Sequence, residues 1–296
     1  MSKRGRDIRE AAIRSAFFAS GMLAVLVLIG IFLTLVATAV PAFREIKLSD
    51  FLLKTAWDPT SPEKAEYGIL SMLVSTLMVT GGALLLAVPI GIAVAAYLSD
   101  VAHWRVREIL KPVVEVLAAI PSVVIGFLGI VLVGPLLAKV FHTGNGLNAL
   151  NGSILLAVMA LPTIISISED SLNAVPKAYN EASLALGASR WQTLVRVKLP
   201  AGLSGIIAAV MLGMGRAIGE TMTVLMATGN ARAFPHGLLS SVRTMTAGIA
   251  IELGEVPYYT THYYALFAIG LVLFVITFAV NLVADVVLHK YQERER

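Results

Sequence analysis

The chain has 296 residues, 57% of them hydrophobic and 14% charged, where a soluble domain carries about 25% charged residues. It contains no cysteine, which excludes disulfides, thiolate metal sites and a cysteine nucleophile. Its net charge is +4 with a pI near 9.3, but the cations sit between long uncharged runs and not in one stripe, so they read as topology determinants and not as a nucleic-acid surface.

Six apolar runs predict six membrane helices: residues 16–40, 68–98, 116–138, 152–167, 202–228 and 263–284. Most exceed the ~20 residues needed to cross a hydrocarbon core. The fourth is short and carries Pro162. The runs lack the alternation of barrel strands, which leaves helices as the spanning form. Lys3, Arg4, Arg6, Arg9 and Arg14 precede the first run, and Ala37-Thr38-Ala39 resembles a signal-peptidase site. The run is about twice an ordinary signal h-region, so an uncleaved first helix is expected, with 1–15 as a cytoplasmic tail. With the N-terminus inside, fifteen of the 23 Lys and Arg fall in inside segments, seven in outside loops, and Arg216 within a span. That asymmetry predicts both termini on the cytoplasmic side, with 289–296 as a second tail.

Residues 41–67 form an external stretch whose Asp58-Pro59-Thr60-Ser61-Pro62 carries turn chemistry. A small helical element is expected within 46–54. Residues 16–66, the first helix and this stretch, stand apart from a core unit of 67–288. Pro89, Pro121, Pro135 and Pro162 are expected to kink spans. Glu115, Glu169 and Asp170 are read as interfacial or solvated charges, and Asp285 and His289 as the end of the last helix. His103, His142, His236 and His262 are scattered in loops without metal-ligand spacing.

The segment 169–200 is longer than a connection between neighbouring spans requires, and such loops are usually functional. Residues 177–186 read as a helix closed by Gly187, and 189–197 as a second helix with Ser189 as N-cap. Pro200 opens the fifth span, where its missing N–H costs little. Glu181-Ala182-Ser183, Gly187, and Val197-Lys198-Leu199-Pro200 at this spacing resemble the EAA loop of ABC-importer permeases, with Ser183 and Val197 departing conservatively from the family's Ala and Ile. The resemblance implies that Glu181, Ala182, Ser183, Gly187, Leu199 and Pro200 belong to a coupling helix that docks on an ATPase subunit.

In the fifth span, Gly215-Arg216-Ala217-Ile218-Gly219-Glu220-Thr221-Met222 is similar to the G-R-A-x-G-E-T-M segment of phosphate permeases of the PstC type, as is Ala119-Ile120-Pro121-Ser122-Val123-Val124 with Gly126. Sulfate and molybdate permeases share the R-A-x-G-E core but continue differently. The resemblance covers helices two to six. It implies an all-α, six-helix type-I ABC importer permease in the bacterial inner membrane. It further implies a PstA-like second permease, two ATP-binding subunits and an external phosphate-binding protein as partners.

An arginine at the centre of a span costs about 2.5–3.5 kcal/mol on insertion scales, so Arg216 needs a reason. Glu220 is one turn on, in reach of an intrahelical ion pair. Either the two brace one another, or Arg216, Glu220 and Thr221 line an oxyanion path in which Glu220 holds the guanidinium. Gly215 and Gly219 are spaced for close helix packing. There is no G-x-x-x-x-G-K-[ST] and no Gly-Lys dipeptide, so the chain is not expected to be an enzyme: ATP and Mg would sit on partner subunits, and no cofactor or metal on this one. A non-transporting scaffold is the alternative from another class, and the ATPase-docking loop argues against it.

Overall fold

The computed structural model describes residues 3–292, with side chains described from Ile13 to Val286 apart from Ala284. Residues 1–2 and 293–296 of the two expected tails, and the side chain of His289, lie outside the described residues. In chain order the helices are α1 (Lys3–Ala39), α2 (Leu48–Leu53), α3 (Leu70–Ala96), α4 (Trp104–Ala119), α5 (Ser122–Leu128), α6 (Gly134–Phe141), α7 (Ala149–Ala174), α8 (Lys177–Ala185), α9 (Arg190–Thr193), α10 (Leu199–Ala201), α11 (Leu203–Gly219), α12 (Met222–Ala227), α13 (Met245–Glu252) and α14 (Thr261–Gln292). Single π-type turns join α5 to α6 and α9 to α10, and another follows α3. A two-residue hairpin pairs β1 (Trp57–Asp58) with β2 (Glu66–Tyr67). Among the described residues five helical stretches are long and apolar enough to cross a membrane, and six if Arg190–Ala201 and α11, bent by 69° across Gly202, are taken as one.

The shortest expected span is the centre of the bundle. α7 begins at Ala149 and not near 152, and runs on past 167 to Ala174. Pro162 lies buried inside it without ending it. Helices packing in lipid gain little from apolar burial, so close approach through small residues does the work. On α3, a Cβ at Gly82 would meet Ser153 Oγ at 2.5 Å, and one at Gly91 would meet Ile164 at 2.7 Å. On α11, a Cβ at Gly205 would strike Ser171, and one at Gly213 would meet Ile164 at 2.8 Å. These are the glycines that bring helices together. Gly215 and Gly219, expected in that role, are not: the first has only Asn281 Oδ1 of α14 at 4.0 Å, and the second faces open space. Sequence spacing does not say which stripe of α11 faces α7, and within this chain Gly215 and Gly219 lie outside it.

α1 lies at the edge, as expected: only 6% of its most apolar window is buried. Its end packs with α2, the hairpin, α13 and α14 in a second core of Ala42, Phe51, Trp57, Met72, Met245, Leu266 and Ile269. α1 starts at Lys3, inside the stretch read as a tail, and α14 reaches Gln292, inside the other. α2 is the small element expected within 46–54. The hairpin and the loop after α12 mark one end of the bundle; α8 and α9 mark the other.

Candidate functional site

Two of the expected spans are interrupted. The third breaks at Ile120 and Pro121, both extended, so that α4 is a separate helix which packs Val114 against Ile165 of α7. Pro121 denies the backbone a donor and biases Ile120 away from helix, which turns an expected kink into a break. The fifth breaks at Glu220, whose ψ of 132° ends α11, and resumes at Met222. The two breaks meet. Buried Thr223 donates from Oγ1 to the carbonyl of Ser122 at 3.0 Å, and the same oxygen lies 3.1 Å from Met159 Sδ of α7. A Cβ at Gly126 would touch Met226 and the backbone of Thr223, so α5 and α12 pack as closely as backbones can. Interrupted helices that meet inside a bundle are the usual architecture of a transporter's substrate region.

The break overturns one expectation about Arg216 and Glu220. Glu220 is not on a helix face, and no ion pair between it and Arg216 occurs among the described residues. Glu220 Oε1 instead accepts from the amide of Thr223 at 3.2 Å, satisfying an otherwise unpaired N–H at the start of α12, and its carbonyl accepts from Thr246 Oγ1 at 2.9 Å. Thr221 Oγ1 lies 3.3 Å from the carbonyl of Gly219. Arg216 is in the last turn of α11, where the helix dipole favours a cation, and forms one exposed stripe with Leu212 and Gly219. It lies thirteen residues along α11, or about 20 Å from its start.

The loop at the other end is built as a clamp. α8 ends at a turn in which Gly187 has φ +84°, a conformation that a side chain resists. Ser189 and Gln192 form a reciprocal capping box on α9. Ser183 Oγ and Thr193 Oγ1 are 3.0 Å apart, so the hydroxyl that departs from the family's alanine ties α8 to α9. Helix after Ser189 is shorter than expected: α9 stops at Thr193 and a π-type turn takes the chain to Leu199 and Pro200. Buried Lys198 reaches Asp100 at 2.7 Å, fastening the clamp to the end of α3. Glu181 and Ala182 are exposed, and Leu186 is 89% exposed at the tip beside Trp191 at 69%. Gly187→Val is expected to strain the turn by about 1–2 kcal/mol and misplace Leu186. The check is ATP hydrolysis against uptake in the assembled complex, with hydrolysis persisting while uptake falls.

Sequence reasoning passed over two charge clusters. Glu169, read as solvated, is 1% exposed and held by Arg107 at 2.6 Å and Lys111 at 3.6 Å, which pins α4 to α7. At the hairpin end, buried Glu252 is the hub of four elements. Its Oε1 takes Arg243 at 2.7 Å and Arg232 at 3.3 Å, and its Oε2 takes Trp57 Nε1 at 2.9 Å and His262 Nε2 at 2.8 Å. Arg232 also reaches Asp58 at 3.3 Å. Burial alone would raise the Glu252 carboxyl, but the hydrogen bonds from His262 and Trp57 and the charge of Arg232 outweigh it and hold it below its usual range. Burial draws Arg243 down against the pull of Glu252. An ionised Glu252 only accepts, so His262 Nε2 carries its proton there. The hub therefore stabilises the fold at neutral pH, and its contribution is lost as acid brings the pH down through the lowered value. No sequence spacing joins 57, 232, 243, 252 and 262. His262, placed in a loop, opens α14. Among the described residues no group of His and acidic side chains is arranged to hold a metal.

Known proteins place this arrangement. The family model described as "Binding-protein-dependent transport system inner membrane component" matches residues 87–293. The "Probable ABC transporter permease protein YqgH" of Bacillus subtilis (strain 168) is 40% identical over 229 residues, 77% of this chain and 74% of that protein. The "Phosphate transport system permease protein PstC" of Mesorhizobium japonicum is 33% identical over 99% of this chain and 95% of its own length. The protein of the same description in Haemophilus influenzae is 32% identical over 93% and 92%. Among solved structures, a bacterial ABC transporter involved in the import of the acidic polysaccharide alginate superposes with TM-score 0.65 at 15% identity, covering 98% of this chain and 99% of that one. A MetNI methionine ABC transporter in an inward facing conformation gives 0.57 at 18%. These two show the fold alone. This chain therefore belongs to the binding-protein-dependent transport system inner membrane components, and it is a multi-pass membrane protein with the type-I ABC importer permease fold.

Proposed function

We propose that this chain is the permease subunit through which a bacterial importer moves inorganic phosphate across the cytoplasmic membrane, driven by ATP hydrolysed on partner subunits. The observation that carries the reading is near full-length similarity to the PstC relatives, together with the segment from Gly215 to Met222. The position of Arg216 supports it. An arginine exposed on the chain's own surface at membrane depth is costly against lipid, so its face belongs against a second permease or a watery path. A guanidinium there suits a tetrahedral oxyanion, offering paired donors that a lysine lacks. The interrupted helices leave Glu220 and Thr221 beside it as non-helical backbone, which membrane proteins tolerate where it lines a cavity.

The partners follow the same reading. A PstA-like permease completes the path, an external phosphate-binding protein delivers the ion at the hairpin end, and of two ATP-binding subunits with their Mg one docks on Leu186 and its neighbours. Motion of the clamp of α8 and α9 passes through Lys198 to the end of α3, and through the 69° bend into α11, the helix that bears Arg216. Uptake of radiolabelled phosphate by proteoliposomes holding the complete complex is expected to resist excess sulfate or molybdate. Competition by either at equal concentration would replace phosphate with that oxyanion as the substrate.

Both termini are placed in the cytoplasm, following the excess of Lys and Arg in the segments read as inside. Single cysteines have no native background in this chain. An impermeant thiol reagent applied outside intact cells is expected to label a cysteine at residue 61 and not one at residue 186. Labelling of both from one side would break this topology.

A further inference from the structure

We infer that Glu252 is a positioning residue for the helix break at Glu220: the buried hub at the hairpin end sets the break's geometry through α13, which acts as a rigid bar between them. α13 is one eight-residue helix, and its two ends are fastened to different parts of the molecule. At its C-terminal end, Glu252 gathers Trp57 of the hairpin, Arg232 and Arg243 of the loop after α12, and His262 of α14. At its N-terminal end the bonds are ordered. Thr244 Oγ1 already accepts from the amide of Ala247 at 3.3 Å. Its own proton then serves Thr246 Oγ1, 3.2 Å away, and the Thr246 proton goes to the carbonyl of Glu220 at 2.9 Å. The amide of Met245 donates to Thr76 Oγ1 of α3 at 3.0 Å, which gives the bar a pivot in the bundle.

The lever is short and stiff. Thr246 and Glu252 are six residues apart, about 9 Å along a helix axis. The carbonyl of Glu220 has no helical partner because α11 has ended, so Thr246 is the bond that fixes where the break turns. The carboxylate of the same residue starts α12 through Thr223. A shift of the hairpin or of the loop at 229–244 moves Glu252, and α13 carries that shift to the break. The charged hub suits this task because it ties α13 to three elements through directional bonds, where an apolar contact would let them slide. The inference holds whichever ion is carried, since it concerns only how the break is held.

Hydrogen exchange of the full chain in lipid nanodiscs tests it, reading the amides of residues 219–224. Glu252→Gln is expected to raise exchange there by about tenfold, the size of one lost charged hydrogen bond, although none of those amides touches Glu252. Thr246→Val is expected to do the same, and Thr246→Ser, which keeps the hydroxyl, to behave as the parent. Adding Glu252→Gln to Thr246→Val is expected to change 219–224 no further, because the bar is already disconnected. Should Glu252→Gln fail to accumulate, Trp57→Phe removes a single donor from the hub and is expected to give a smaller rise at the same amides. A rise confined to 54–67 and 229–244, with 219–224 unchanged, would reduce Glu252 to a local brace. Additive effects in the double variant would equally overturn the bar.

Discussion

Arg216→Gln is expected to fold and assemble normally and to cut phosphate uptake by about tenfold to a hundredfold. The first half follows from the absence of an Arg216–Glu220 ion pair among the described residues: Glu220 is occupied at the start of α12, so removing the guanidinium strands no buried carboxylate. Had the two formed a closed pair, breaking it would cost about 3–5 kcal/mol and the subunit would be degraded. The second half follows from the chemistry. Charge-assisted hydrogen bonds are worth about 1.5–3 kcal/mol, which is one to two decades in rate or affinity, and a neutral amide cannot supply them to a divalent oxyanion. Arg216→Lys keeps the charge and loses the fork, so an intermediate loss is expected. Uptake into proteoliposomes, normalised to assembled complex, reads both effects. Near-normal uptake by Arg216→Gln would remove Arg216 from the path, and loss of assembly would return it to a structural role.

The second large effect is expected at Asp100, which neither family motif includes. Lys198 has 6% of its side chain exposed, whereas Asp100 has 25%. Asp100→Ala therefore leaves an ammonium group in a nearly closed site with only Ser99 Oγ at 3.3 Å, and a loss of about 3 kcal/mol is expected. Lys198→Met leaves a carboxylate that can turn to water, and a smaller loss is expected. The double variant Asp100→Ala with Lys198→Met is expected to recover most of the stability, because the buried charge is gone. Thermal unfolding of the purified subunit in detergent compares the three. If Asp100→Ala and Lys198→Met destabilise equally, the pair is not buried in the assembled protein as it is here. The readout matters for coupling, since this bond, with Leu194 packed among Ala95, Leu172 and Ile206, links the clamp to the membrane helices.

The sequence by itself determined much of this protein. Uncharged runs of about twenty residues point to membrane helices, so five of the six expected spans were legible outright, as was the edge position of α1 behind its charged external stretch. The turn at Gly187 and the cap at Ser189 were legible because both are local: a left-handed backbone selects glycine, and a helix start selects a hydroxyl. What only the tertiary structure decided is whatever depends on which face meets which. Hydropathy averages along the chain and is blind to a break of two residues, so Glu220 and Pro121 were read as interior to continuous spans. It is equally blind to packing, so α7, the shortest of the six expected runs, emerged as the centre through glycines on its neighbours. Pairing of Glu252 with residues 195 positions earlier and 10 later leaves no periodic trace, because a buried charge is satisfied by whatever the fold brings near it and not by its neighbours in sequence.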